Sequence, residues 1–300
     1  MHQVQLLKKY ELSVRGFRGQ HLLVDENIQR KFISHVNPKK GETIIEIGPG
    51  LGAITELLLR EGAKVIAIEQ ERRFVEILKG ELGDDFEALT LVHNDILKIN
   101  LKKYVRGKSK LKVVGNIPYY ITSPILLYLI GHRTLIDSAY LTVQKEIADR
   151  IFAQPGTKAY GRLSLLVRFY ADVNRAFEIS RNCFSPKPNV DSTVMELIFR
   201  QKLPASVNET VLFDLIKYGF QARRKNILNA ITDGFSARIR GGSASGGKDK
   251  VSKEEVKSIL QAAGLEETVR AEGLMLKDFI RLAELFAKRE PFLRRTKSDD

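Results

Sequence analysis

Residues 43–60 read TIIEIGPGLGAITELLLR, and this stretch decides the architecture. The apolar run Thr43–Ile47 has the length and β-branched content of a buried strand. Glycines at 48, 50 and 52 then allow a sharp turn and a close backbone approach, and Ala53–Arg60 has helical spacing. A strand, a glycine-rich turn and a helix in succession form the opening half of a βαβ unit whose helix N-terminus faces a ligand. By itself the loop also satisfies a loose dinucleotide fingerprint, because Gly48, Gly50 and Ala53 occupy its spacing.

The same alternation continues outward. Lys64–Ile68, Leu89–His93, Leu111–Val114 and Ala139–Val143 read as further strands, and Glu71–Leu82 and Pro124–Ile130 read as helices between them. Upstream, Asp25 is placed to cap a helix that Asn37-Pro38 ends. Val194–Phe199 is expected to close the sheet by antiparallel pairing. From Pro204 the pattern changes to helices alone: Glu209–Tyr218, Arg223–Ile231, Lys253–Ala263 and Leu276–Ala287. The expectation is an α/β, Rossmann-like, mainly parallel sheet over residues 1–203, followed by a smaller all-helical domain over 204–300. Gly241–Lys250 reads as a solvated glycine- and serine-rich loop, and Arg294–Asp300 as a frayed tail.

Charge follows this division. The formal net charge is +13, distributed as −1, +9 and +5 over successive hundreds of residues. A neutral first third and a basic remainder suit a small-ligand site joined to a surface that faces a polyanion such as RNA. The single cysteine, Cys183, excludes an intramolecular disulfide and a cysteine zinc cluster, and the five histidines lack metal-ligand spacing. No metal is expected. There is no signal-peptide core and no apolar run long enough to span a bilayer, so the expectation is a soluble, cytoplasmic protein without a membrane partner.

Ligands of such sheets bind outside the carboxyl ends of the strands. Gly48, Glu69, Asp95 and Asn116 all stand at such ends. Glu69, about 20 residues beyond the first glycine, suits a ribose diol; Asp95 suits an adenine amine. The segment Gly115-Asn116-Ile117-Pro118-Tyr119-Tyr120 carries the chemistry. An adenine amine is a poor nucleophile because its lone pair is delocalised into the ring. The Asn116 side-chain oxygen and the Ile117 carbonyl can each accept one N–H, Pro118 fixes the backbone, and Tyr119 can stack on the base. Catalysis is then mainly orientation and electrostatics, with no general base of shifted pKa.

With these segments in view, the sequence resembles the KsgA/Dim1 family of small-subunit ribosomal RNA adenine dimethyltransferases, especially its bacterial and organellar branch. The resemblance also rests on Gly19-Gln20-His21-Leu22-Leu23, Gln144-Lys145-Glu146, Lys158-Ala159-Tyr160-Gly161-Arg162-Leu163-Ser164, the segment Phe184 to Ser192, and Phe220 to Lys225. It implies dimethylation of two adjacent adenosines near the 3′ end of small-subunit rRNA in an assembling subunit, with S-adenosylmethionine as methyl donor. It further implies a cofactor site of Gln20, His21, Leu23, Gly48, Gly50, Glu69, Asp95, Ile96 and Asn116. Tyr119 and Phe184 would hold the two faces of the flipped base, and Arg223, Arg224 and Lys225 would contact RNA phosphates. His21 stands where many bacterial members carry Asn. The Gly241–Lys250 loop is longer and richer in glycine than is usual, and the basic tail after Pro291 is an extension. A monomer is expected. The alternatives are an Erm-type methyltransferase of large-subunit rRNA, and an assembly or transcription factor built on the same fold.

Overall fold

The computed structural model describes residues 3–12, 21–82, 87–107, 109–241 and 251–288, with backbone alone at 237–241. Contacts divide the chain into two compact units, residues 1–148 with 170–201, and residues 149–169 with 202–300.

In the first unit the elements are α1 (Gln3–Lys9), β1 (Leu22–Leu23), α2 (Glu26–Val36), β2 (Thr43–Ile47), α3 (Ala53–Arg60), β3 (Lys64–Glu69), α4 (Arg72–Leu82), β4 (Leu89–His93), β5 (Leu111–Asn116), α5 (Thr122–Gly131), β6 (Ile136–Gln144), the start of α6 (Lys145–Phe152), the end of α7 (Arg162–Tyr170), β7 (Ala171–Ile179), β8 (Phe184–Ser185) and β9 (Ser192–Phe199). Seven strands form one sheet in the order β4-β3-β2-β5-β6-β9-β7. The first five run parallel, and β9 pairs antiparallel with both β6 and β7. This is a Rossmann-like sheet closed at one side by an antiparallel pair. The central strands of the parallel region carry runs of Val, Ile, Leu and Ala, as strands covered on both faces do; Ile44, Ile45, Val65, Ala67, Val113 and Val114 are fully enclosed. The strand order reverses between β2 and β5, where Ile47 lies beside Gly115. That reversal opens a crevice at the carboxyl ends of the two strands.

Helix α2 begins where the sequence placed it: the Asp25 carboxylate accepts from the Asn27 and Ile28 N–H groups, and Asn37 leaves the helix in the left-handed conformation. Several elements of this unit were not foreseen, among them β1, β8, the parts of α6 and α7, helix α1 and strand β7. Helix α1 buries Leu6 in a cluster with Leu12, Leu22, Leu51, Phe74 and Ile77. Strand β7 forms the outer edge of the sheet and alternates buried with exposed positions only loosely.

The second unit contains the rest of α6 and α7, α8 (Glu209–Gln221), α9 (Ile227–Gly241), α10 (Lys253–Ala262) and α11 (Leu276–Ala287). A single boundary at 203/204 does not describe it, because residues 149–169 group with these helices. The buried Tyr160 donates its hydroxyl proton to the Leu274 carbonyl at 2.8 Å, and Phe169 meets Phe213 edge-on. The helix expected over Arg223–Ile231 starts only at Ile227, since 222–226 is a turn. Gly241–Lys250 lies outside the described residues apart from the helical backbone end at Gly241, and so does the tail after Pro291.

Candidate active site

Two adjoining cavities of about 410 and 460 Å³ open at the reversal point in the first unit. Gly48, Asn116 and Leu22 line both. The glycine loop sets their floor. Gly48, Gly50 and Gly52 all have positive φ (68°, 57° and 80°), a conformation that L side chains resist. A Cβ at Gly48 would meet nothing within 4 Å, so this residue turns bare backbone towards open space. At Gly50 a Cβ would come within 2.7 Å of the Leu22 side-chain tip, which would have to shift, so contact adds to the positive φ in disfavouring a side chain there.

Glu69 ends β3 and is 3% exposed. One carboxylate oxygen accepts from the Gly50 N–H at 3.2 Å and the other from the Glu71 N–H at 2.9 Å. Burial raises its pKa, and those backbone bonds oppose the rise. A carboxylate has about four lone-pair sites, so these bonds leave acceptor capacity for a ligand hydroxyl. Glu46, one strand over, is equally buried and accepts from the Thr55 hydroxyl at 2.6 Å; burial pushes its pKa up to about 7.

Asn116 ends β5. Its Nδ2 donates to the His21 carbonyl at 2.7 Å. That bond fixes which end of the amide is which, and it leaves Oδ1 as an acceptor at the junction of the two cavities. Ile117, Pro118 and Tyr119 continue the wall. The Ile117 N–H is held by the Thr142 carbonyl at 3.1 Å, and the Tyr119 hydroxyl meets Ser192 Oγ at 2.8 Å. At the backbone end, the Tyr119 carbonyl accepts from the Thr122 hydroxyl at 3.2 Å. The Tyr119 ring centroid lies 5.4 Å from that of His21, whose Nδ1 donates to the Pro186 carbonyl at 2.7 Å.

Of the residues the sequence singled out, the crevice thus assembles His21, Leu23, Gly48, Gly50, Glu69, Asn116, Ile117, Pro118 and Tyr119. Gln20 lies outside the described residues. Asp95 and Ile96 are not among the lining residues: Ile96 is buried, and the Asp95 carboxylate accepts from the Leu97 N–H at 3.0 Å as a helix cap. An acid at a strand end has both uses open to it, and here a 3₁₀ turn begins immediately behind it. Phe184 is 4% exposed, pairs with Leu23 in the short β1–β8 ladder and belongs to the hydrophobic cluster that holds Phe177 and Ile179; it is not among the lining residues. Phe74, Leu22 and Ser192 were not foreseen. Phe74 reads as an ordinary core position of an amphipathic helix, and nothing local marks Ser192.

The three basic residues expected at an RNA contact belong to the second unit and differ in their surroundings. The Arg223 guanidinium donates to the Lys158 carbonyl at 3.0 Å and to that of Tyr160, closing the turn after α8. Lys225 pairs with Asp233 at 2.6 Å. Arg224 is exposed. Among the described residues, no group of His, Cys, Asp or Glu is arranged to hold a metal ion, and no helix is long and apolar enough to cross a membrane.

Known proteins resemble the chain over most of its length. It is 38% identical to ribosomal RNA small subunit methyltransferase A of Lysinibacillus sphaericus, covering 95% of this chain and 96% of that one. It is 38% identical to the Streptococcus sanguinis protein of the same name, over 93% of this chain and 94% of the other. Among solved structures, a dimethyladenosine transferase from Plasmodium falciparum superposes with a TM-score of 0.73 at 28% identity, covering 89% of this chain and 98% of that one. The 23S rRNA methyltransferase ErmE shares the fold, with a TM-score of 0.64 at 21% identity over 89% of this chain and all of the other. The family model described as ribosomal RNA adenine dimethylase matches residues 12–266, and the chain, a methyltransferase, belongs to that family.

Proposed function

We propose that the protein transfers methyl groups from S-adenosylmethionine to the N6 atoms of two adjacent adenosines near the 3′ end of small-subunit rRNA, acting as a monomer in the cytoplasm on an assembling subunit. The observation that carries the chemistry is the orientation of Asn116. With Nδ2 committed to the His21 carbonyl, Oδ1 can only accept, as an adenine amine requires.

The crevice fits the methyl donor. Glu69 offers carboxylate lone pairs to a ribose diol, bare backbone at Gly48 admits a ligand closely, and two carboxyl groups beneath the loop favour a positively charged ligand. When bound, the donor supplies an electrophilic methyl group on a sulphonium. Asn116 Oδ1 and the Ile117 carbonyl would each hold one N–H of the target amine, so that its lone pair points out of the base plane. Pro118 and the Thr142 contact fix the carbonyl's direction. Tyr119, pinned by Ser192, presents its face to the extruded base, and stacking of this kind contributes about 1–3 kcal/mol. The methylated amine releases its extra proton to water, so no side chain needs to act as a strong base. Catalysis rests on orientation and fixed dipoles.

The test is transfer of tritiated methyl from S-adenosylmethionine to small subunits from a host that lacks this modification, with the labelled nucleoside identified. Labelled dimethyladenosine in the small-subunit 3′ region is expected. Label only in large-subunit rRNA, or none despite cofactor binding, would overturn the proposal.

A further inference from the structure

The turn at Arg223–Lys225 is partly committed to internal carbonyl and ion-pair contacts, so other cations of this basic chain are needed to meet a polyanion. Between Asp95 and Asp137 the sequence has no acidic residue, although it carries Lys98, Lys102, Lys103, Arg106, Lys108, Lys110, Lys112 and Arg133. Lys108 lies outside the described residues, and Lys112 pairs with Glu42 at 3.0 Å. By contrast Lys98, Lys102, Lys103 and Arg106 are exposed, and none of their side chains has a hydrogen-bond or ion-pair partner among the described residues.

They stand on a firm base. The chain leaves the carboxyl end of β4, on the same sheet edge as the crevice, and makes 3₁₀ turns at Ile96–Lys98 and Leu101–Tyr104. Asp95 and Asn100 cap these turns, Ile96 and Leu101 are buried beneath them, and the Tyr128 hydroxyl on α5 donates to the Ile99 carbonyl at 2.7 Å. The first turn packs against α5, and α5 follows directly on Tyr119. Helix α5 carries no charged residue, and its outer side exposes Ser123, Pro124 and Leu127. Tyr120, next to the stacking Tyr119, is 55% exposed, Leu127 54% and Leu97 39%.

We infer that the strip from Tyr120 along α5 to Lys98, Lys102, Lys103 and Arg106 is a second RNA-binding surface, on the catalytic unit itself, which grips the strand flanking the target nucleotide. An exposed aromatic ring beside the base pocket and a row of cations unpaired among the described residues, in a stretch of sequence without acids, form the usual platform for a sugar–phosphate backbone. Anchored turns hold the cations in place before RNA arrives, which lowers the ordering cost of binding. The surface rests on the reading of the chain as an RNA methyltransferase, and the readouts below are separable from catalysis.

The double variant Lys102→Gln with Lys103→Gln is compared with Lys40→Gln with Lys64→Gln, which removes the same charge from the amino ends of β2 and β3, at the opposite edge of the sheet. Binding of a structured RNA hairpin is followed as a function of salt, and S-adenosylmethionine binding is measured by calorimetry as a check on the fold. The first double should flatten the slope of log K against log salt by about 0.7–0.9 for each phosphate that is no longer neutralised, with the cofactor affinity unchanged. The control double should leave the slope as it was. Equal slopes in the two doubles overturn the surface. Independently, Tyr120→Ala should weaken binding of a short single-stranded RNA roughly tenfold and Tyr120→Phe should restore it; failure of Phe to restore it removes Tyr120 from the strip. Should the wild type fail to bind S-adenosylmethionine at all, the catalytic reading falls while the salt slopes still decide this one.

Discussion

At Glu46 the sheet holds a carboxyl group 3% exposed, with the Thr55 hydroxyl as hydrogen-bond donor and Glu69 adding repulsion. The unfolded chain gives up this proton near 4.5, whereas burial holds it to about 7 in the folded one. Between those values the native state binds more protons than the unfolded state, so stability falls as pH rises through the window and levels off above it. The gap corresponds to about 3 kcal/mol. Glu46→Gln keeps an acceptor for Thr55 and removes the titration. Urea unfolding of the cofactor-free wild type should therefore lose more stability than the variant between pH 5 and 7.5, and parallel curves would refute the assignment. The neighbouring glycines separate structure from ligand space. Gly50→Ala must adopt positive φ and displace Leu22, at a cost of about 1–2 kcal/mol from conformation alone. Gly48→Ala meets no neighbour, so its methyl group enters the crevice. A larger drop in melting temperature for the first, and a larger loss of S-adenosylmethionine affinity relative to the stability lost for the second, are expected from melting and calorimetry. Asn116→Ala should abolish methylation while leaving RNA affinity nearly intact; an equal loss of both would remove its role in orienting the amine.

Among the elements, α1 clamps the cofactor loop from outside. Gln3 Nε2 donates to the Leu51 carbonyl at 3.1 Å, Leu6 packs with Leu51 and Phe74, and the Tyr10 carbonyl accepts from Arg73 at 2.6 Å. A seven-residue helix is not stable alone, so these contacts hold it in place. Leu6→Ala removes a buried side chain worth about 2–3 kcal/mol. The loss should appear as local opening: faster hydrogen exchange at Gly50–Gly52 with no change in α8 or α11, whereas a uniform change across the chain would contradict it. This helix also shows where the sequence falls silent, since its role depends on Leu22, Leu51 and Phe74, which are distant along the chain. Strands β2, β3, β5 and β6 were legible because burial leaves apolar runs, and the edge strand β4 because it keeps Leu89, Leu91 and Val92. Strand β7 was not, because an edge strand tolerates Asp172, Asn174, Arg175 and Glu178 on its exposed positions. Asn116 and Glu69 could be placed from their strand ends, but the cap at Asp95 and the burial of Phe184 depend on a 3₁₀ turn and a two-residue ladder too short to leave a pattern.

At the scale of the whole chain, the second unit is assembled from two stretches, and that has a consequence for dissection. Residues 149–169 supply Tyr160, whose hydroxyl reaches the Leu274 carbonyl, Phe169 against Phe213, and Gly156, whose N–H reaches the Glu272 carbonyl at 2.7 Å. Arg223 in turn ties the far stretch to the Lys158 and Tyr160 carbonyls. Composition changes visibly near Pro204, but a change of pattern marks where strands stop, not which segments share a core. A fragment ending at residue 203 keeps Tyr160 and Phe169 and loses every one of these partners. It should bind a hydrophobic dye and melt over a broader range than the full chain, because large apolar side chains are left facing water and the cooperative unit is incomplete. Extending the fragment to residue 288 restores the partners and should restore the sharp transition. A fragment 1–203 that melts as sharply as the full chain and binds no dye would mean that residues 149–169 find other cover, and that the second unit begins at the composition change after all.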